Sequence, residues 1–189
     1  MSDTLRLFIA LEPDSGVQKQ AAKDFARFGF GTEVKPTDKE QLHSTLKFWS
    51  HFQLQDLAQL LQALEDVAQR HPVLTLDFNQ PVIFGGQQAR VLALEAEKNE
   101  ELVDLYNDLE ETLVEYGLAD REGRLFRPHL TLARVKDYFT EEDRQKFEAW
   151  KPDISAVHED LKLYSSILTP KGPEYDQLAS FPLQNEEAE

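Results

Sequence analysis

Two tetrapeptides, His43-Ser44-Thr45-Leu46 and His129-Leu130-Thr131-Leu132, repeat the same residue types at the same spacing in distant parts of the chain. Each lies in an apolar run that reads as a strand, where residues two apart point to one side. His43 and Thr45 therefore share a face, as do His129 and Thr131, while Leu46, Leu130 and Leu132 face the other way. An imidazole exchanges protons near neutral pH, and a threonine hydroxyl can hydrogen-bond a phosphoryl oxygen. Two such pairs around one phosphate could give and take protons while holding its oxygens. One copy alone is a loose pattern, and a single histidine in such a strand reads first as a packed or backbone-satisfied side chain. Two copies in equivalent settings carry the functional reading.

Something must bring the two copies together. Leu5 to Leu11 alternates as a strand, with Leu5, Leu7, Ile9 and Leu11 on one face and Arg6, Phe8 and Ala10 on the other. Pro13-Asp14-Ser15 opens a helix to about Phe28, closed by Gly29 and Gly31. Thr37 to Gln41 is a loop before the strand Leu42 to Trp49, which holds the first motif. Leu54, Leu57, Leu60, Leu61, Leu64 and Val67 recur at helical spacing until His71-Pro72 ends the run. Val73 to Phe78, Val82 to Phe84 and Arg90 to Glu95 read as strands, the last two joined through Gly85-Gly86. Glu100 to Tyr116 predicts an amphipathic helix stopped by Gly117, and an Arg-rich connection leads to the strand His129 to Val135. Glu141 to Trp150 is a further helix. Asp160 to Leu168 and Tyr175 to Leu183 are late strands around a Lys171-Gly172-Pro173 turn.

This order nearly repeats itself. Ala10-Leu11-Glu12 precedes the first helix and Ala93-Leu94-Glu95 the corresponding later one. Each His-x-Thr-Leu strand is followed by a helix and then a strand, Leu74 to Phe78 in one round and Leu161 to Tyr164 in the other. A strand-helix-strand-helix-strand unit used twice predicts an α+β fold of two similar lobes. Residues 1–189 then form a single domain, with equivalent strands facing each other across a cleft.

The chain has 189 residues, no Cys and a net charge of -15. That length holds one ordinary domain or two closely joined lobes. Without cysteine, disulfides and thiolate metal sites are excluded. A protein this acidic is not built to coat long nucleic acid, because phosphates would be repelled over most of its surface. A phosphorylated small molecule or an RNA end could still enter a locally basic cleft. No apolar stretch reaches bilayer length, and Met1 to Leu11 lacks the flanks of a secretory signal, so the expected location is cytoplasmic. Asn185 to Glu189 reads as an acidic, frayed end. A zinc site at His43 and His129 would lack an Asp or Glu at companion spacing, and hydroxyls are poor zinc ligands, so no metal is expected. Gly85-Gly86 lies between strands and is no phosphate loop of the dinucleotide or Walker type.

With its flanks included, the chain resembles the 2H phosphoesterase superfamily, named for paired His-x-Thr/Ser motifs. It is most similar there to the RNA 2',3'-cyclic phosphodiesterases long called 2'-5' RNA ligases. Arg6-Leu7-Phe8-Ile9-Ala10 is similar to that family's opening, and Leu42-His43-Ser44-Thr45-Leu46-Lys47-Phe48 to its first motif. Arg127-Pro128-His129-Leu130-Thr131-Leu132-Ala133-Arg134 is similar to the second. Leu163-Tyr164-Ser165-Ser166 with Gly172-Pro173-Glu174-Tyr175 resembles the closing hairpin. Trp49-Ser50 departs from the aliphatic-Gly pair common in the family, which bears on a turn there.

The resemblance implies a LigT-like fold, two antiparallel sheets facing a central cleft with helices outside. It also implies hydrolysis, without metal or cofactor, of RNA 2',3'-cyclic phosphate ends to 2'-phosphomonoesters. The expected partners are RNA 3' ends or nucleoside 2',3'-cyclic phosphates, met by a monomer away from membranes. In-line attack on phosphorus puts nucleophile and leaving oxygen on opposite sides, which suits one histidine from each lobe. By family analogy His43 protonates the leaving 3'-oxygen and His129 activates water, although near-symmetry lets either imidazole play either part. Thr45 and Thr131 would donate to the non-bridging oxygens. Arg134 ends the second motif and could clamp phosphate, yet strict alternation sets it opposite His129, so it needs a twist, bulge or strand end to reach. Lys47 has the parity to face the cleft or else stands solvated. Phe8 could stack on a base or simply pack. His51, His71 and His158 lack a threonine partner and read as structural or exposed, and Trp49 and Trp150 as core. A binding module of the same fold with little turnover, and an enzyme acting on 2'-5' linked oligonucleotides or another cyclic phosphate, are the alternatives.

Overall fold

The structure is a computed structural model and describes residues 4–170 and 172–185. Strand β1 (Thr4–Leu11) buries Leu7, Ile9 and Leu11 completely, as its alternation predicts. Asp14 caps helix α1 (Ser15–Ala26) by accepting from the Gly16 and Val17 amides, which supplies two of the donors a helix start leaves unpaired. After the short strand β2 (Val34–Pro36) comes β3 (Ser44–Gln53), which starts one residue past His43. Helix α2 (Leu57–Ala68) turns Leu60, Ala63, Leu64 and Val67 inward at the predicted spacing. Leu54 stays half-exposed on a single 3-10 turn before it.

Strands β4 (Leu74–Asp77), β5 (Gln80–Phe84) and β6 (Val91–Glu95) follow. Helix α3 (Glu100–Glu115) is capped by Asn99 and buries Leu102, Leu105, Leu109 and Leu113. Gly117 at φ 68 occupies the left-handed position that ends it, a conformation costly for residues with a Cβ. The chain closes with β7 (His129–Val135), α4 (Glu141–Glu148), β8 (Ser155–His158), β9 (Asp160–Thr169) and β10 (Gly172–Pro182).

Two four-stranded sheets result, ordered β10-β9-β1-β3 and β2-β7-β6-β5, with β4 and β8 as a separate pair. All the ladders are antiparallel. The fold is α+β, and the sheets exchange strands between the halves of the sequence. β2 comes from the first half but pairs with β7, while the terminal hairpin β9-β10 returns to β1. This corrects the strand assignment in the second round of the repeat. The strand after α4 is β8, which pairs with β4, whereas Leu161 to Tyr164 belongs to β9 beside β1. β2 has only three residues, one of them Pro36, and β8 turns Val157 outward and His158 inward, against their hydropathy.

Among the described residues no helix is long and apolar enough to cross a membrane. Lys171 of the expected turn and residues 186–189 of the expected frayed end lie outside the described residues.

Candidate active site

The pairing of β1 with β3 is irregular at two places, between Leu5 and Leu7 and between Ile9 and Ala10, and the second decides which side chains reach the cleft. Ile9 faces Lys47 and Ala10 faces Thr45, so Leu46 is an extra residue without a partner. The same event recurs between β6 and β7, where Leu92 faces Ala133 and Ala93 faces Thr131, leaving Leu132 over. A β-bulge resets the alternation of the strand that contains it. Leu46 and Lys47 are both buried, and Phe48 turns outward; Leu132 and Ala133 are both buried, and Arg134 turns outward. Arg134 thereby joins His129 and Thr131 on one cavity wall, the placement that simple alternation denied it.

Lys47 goes the other way. It is buried, with Nζ 2.7 Å from Glu110 Oε1 and 3.0 Å from the Asp120 carbonyl, and so stands neither in the cleft nor in solvent. The bulge inverts the parity on which its placement rested. Trp49-Ser50 forms no turn: β3 runs on to Gln53, and Trp49 packs against the core with its indole N–H donating to the Leu118 carbonyl at 3.1 Å.

One cavity of about 760 Å³ is lined by His43, Thr45, His129, Thr131 and Arg134 together. Each histidine is oriented by the same device. His43 Nδ1 lies 2.7 Å from the Gln41 carbonyl, and His129 Nδ1 lies 2.7 Å from the Arg127 carbonyl. A carbonyl oxygen only accepts, so Nδ1 carries the proton in both rings and Nε2 is left for a ligand.

The rings sit in different company. His43 stacks on Phe8 with centroids 4.7 Å apart, and Phe8 stacks in turn on Tyr164 at 5.1 Å. Tyr175 meets the edges of both Phe8 and His43. Behind this column Glu12 accepts from Lys162 Nζ at 2.8 Å and from the Tyr164 hydroxyl. Burial raises the Glu12 carboxyl's proton affinity, but those partners outweigh it and the pKa ends below the carboxylate norm. Burial holds the His43 imidazole below its ordinary value, opposed by its bond to Gln41 and by the Glu12 charge, and reinforced by His129 and Arg134. His129 meets Phe84 at 4.8 Å, and Arg127 covers Phe84 while pairing with Glu95.

Of the two readings open for Phe8, packing is the one its surroundings fit. Phe8 is 4% exposed, with His43 on one side, Tyr164 on the other and Tyr175 against its edge, so it packs and steadies His43. Glu12, Tyr164 and Tyr175 were not singled out from sequence. Their signals were the Ala-Leu-Glu repeat and the hairpin flanks, which the residue pattern alone did not connect to His43. His51 is exposed, His71 bonds Asp108 at 2.8 Å, and His158 is fully buried.

Residues 17–167 match the model of the 2'-5' RNA ligase superfamily. The chain belongs to that superfamily. Among curated members it is 29% identical over 178 residues to the RNA 2',3'-cyclic phosphodiesterase of Thermotoga maritima, covering 92% of this chain and 93% of that one. The protein of the same name from Methanocaldococcus jannaschii is 28% identical over 177 residues, covering 91% and 97%. Among solved structures, TT0787 of Thermus thermophilus superposes with a TM-score of 0.81 at 24% identity, covering 97% of this chain and all of that one. Escherichia coli LigT complexed with 3'-AMP gives 0.78 at 22%, covering 96% and 99%. At those identities the structural likeness speaks for the superfamily fold, LigT-like with antiparallel sheets and four helices.

Proposed function

We propose that this chain hydrolyses RNA 2',3'-cyclic phosphate ends to 2'-phosphomonoesters with its two cleft histidines as acid and base. The observation that carries the proposal is the pair of imidazoles, each tied through Nδ1 to a backbone carbonyl and lining one cavity with Thr45, Thr131 and Arg134. The superfamily match and the curated relatives named for this activity support it.

In this scheme His129 Nε2 takes a proton from water as the water attacks phosphorus. His43 Nε2 delivers a proton to the departing 3'-oxygen, and the phosphate stays on the 2'-oxygen. Thr45 and Thr131 donate to the non-bridging oxygens, whose charge must be held in the transition state. Arg134 offers a guanidinium fork to the same anion. Phe8 contributes by fixing the plane of His43. An acid with a lowered pKa is a stronger donor once charged, and an incoming phosphate anion favours its charged form. The protein acts as a cytoplasmic monomer on RNA 3' ends or nucleoside 2',3'-cyclic phosphates, through one domain of two lobes related by the repeated bulged motif.

A panel of the four nucleoside 2',3'-cyclic phosphates tests this, with the product phosphate located by NMR and EDTA present throughout. The 2'-monophosphate is the expected product. A 3'-monophosphate would exchange the leaving group and with it the roles of the two histidines. Binding of 2'-AMP without hydrolysis of any member would leave a binding module of the same fold.

A further inference from the structure

Most arginines of this acidic chain have found a carboxylate, as 35 acidic against 20 basic residues would lead one to expect. Arg27, Arg70, Arg121, Arg127 and Arg144 all sit in ion pairs. Arg6 does not. It lies half-buried on the cleft face of β1, its Nε is shielded from solvent without a hydrogen-bond partner, and its guanidinium rests over the Phe48 ring at 4.5 Å. Among the described residues it makes no ion pair, although Asp38 and Glu174 line the same cavity. A cation kept there by an aromatic face, and left without an anion of the protein's own, is poised for an anion from outside.

Arg6 itself lies in a register shift between Leu5 and Leu7, so its level in the cleft is set by the Phe48 ring it covers. Thr45 lies across from Ala10, and Phe48 lies across from Phe8 because the bulge at Leu46 turned it outward. Those two levels are about 7 Å apart along the strand. The Arg6 guanidinium, held over Phe48, thus stands one step beyond the level of the catalytic threonine, a span one sugar-phosphate unit can bridge. Arg134 occupies the equivalent post-bulge position on the opposite wall. Arg6, Arg134 and Tyr175 line the same cavity.

We propose that Arg6, backed by Phe48, is a second anion subsite that takes the phosphodiester one nucleotide 5' of the reacting cyclic phosphate. The inference rests on the hydrolase proposed above and deepens it: the cleft is built for RNA ends, and mononucleoside cyclic phosphates fill half of it.

The test compares kcat/KM for a nucleoside 2',3'-cyclic phosphate and for a dinucleotide ending in the same group, using wild type, Arg6→Gln and Arg6→Lys. The wild type is expected to favour the dinucleotide. Arg6→Gln should shrink that preference by roughly ten- to a hundredfold, with Arg6→Lys in between. A dinucleotide whose linkage is a neutral methylphosphonate keeps the bases and removes the charge, and it probes the wild-type protein without any substitution. Loss of the preference with that analogue, and no further effect of Arg6→Gln on it, supports the subsite. An equal fall on both substrates, or indifference of the wild type to the neutral linkage, overturns it. If the wild type turns over neither substrate, the hydrolase reading fails. Equilibrium binding of a dinucleotide 2'-monophosphate, with natural or neutral linkage, then decides the Arg6 subsite by the same criterion.

Discussion

His43 and His129 share a backbone device, Nδ1 held 2.7 Å from the carbonyl two residues earlier, and a bulge three residues later. Around those common parts the two walls diverge. His43 ends a column of stacked rings, with Phe8 on its face, Tyr164 beyond and Tyr175 at the edge. Among the described residues His129 has one aromatic neighbour, Phe84, itself covered by Arg127. After the bulge, one wall buries Lys47 against Glu110 where the other has Ala133. One wall turns out Phe48 where the other turns out Arg134. A repeated backbone therefore does not repeat its electrostatics. The local motif aims each imidazole, and burial among its ring neighbours holds His43 below the ordinary imidazole pKa.

The comparison is most sharply broken by removing the rings. His43→Ala and His129→Ala should each lower kcat by roughly a hundredfold to ten-thousandfold on a cyclic phosphate, with circular dichroism unchanged. The double variant should be little worse than the poorer single one, since the two act on one transition state. Near wild-type turnover in either single variant would end the two-histidine account.

The walls should also differ in stability. Glu110→Ala leaves Lys47 buried and unpaired, and should cost about 3–5 kcal/mol in denaturant unfolding. The pair Lys47→Met with Glu110→Leu should recover most of that loss. The other wall holds no charge at the corresponding Ala133.

A smaller contrast concerns orientation. Phe8→Leu removes the face on which His43 lies and should lower kcat roughly tenfold with little change in KM. Phe84→Leu should do less, because His129 loses only a tilted contact whereas His43 loses a stacked one. Equal losses would mean that the column behind His43 is packing alone.

The finest distinction is in pH. Burial holds His43 below the usual imidazole pKa in the free protein. With His43 as the acid, the alkaline limb of kcat/KM should fall below about 6.5, the unperturbed value. The limb of kcat, which reports the loaded enzyme, should lie higher, because bound phosphate favours the imidazolium. A depressed value on the acidic limb would make His43 the base. Such profiles need a folded protein, and His158 sets the lower boundary. It is fully buried, and burial pushes its pKa down to about 4. Its neutral form thus contributes stability above about 6.5, lost as pH falls towards 4, amounting to about 3 kcal/mol. Substitution by Leu should flatten unfolding curves over that window.

Much of the frame was legible from residue patterns. The core faces of β1, α2 and α3 follow their periods, and Asp14 and Gly117 mark helix ends by known local chemistry. The short strands β2 and β8 were not legible, because β2 has three residues with a proline among them and β8 turns Val157 out and His158 in. Nor was the pairing of the final hairpin with β1, which joins residues far apart in the chain. The place of Lys47 was not legible either: alternation along β3 faces it to the cleft, and the bulge opposite β1 turns it to Glu110.

The chain's order of residues sufficed for the paired His-x-Thr motifs, their faces and the helices around them, because alternation and capping are properties of neighbouring residues. Which residue becomes the extra one in a ladder depends on the partner strand, and how costly a charge is depends on everything packed around it. For that reason only the folded molecule decided that Arg134 enters the cleft, that Lys47 leaves it, and that the ring column around His43 resists its protonation.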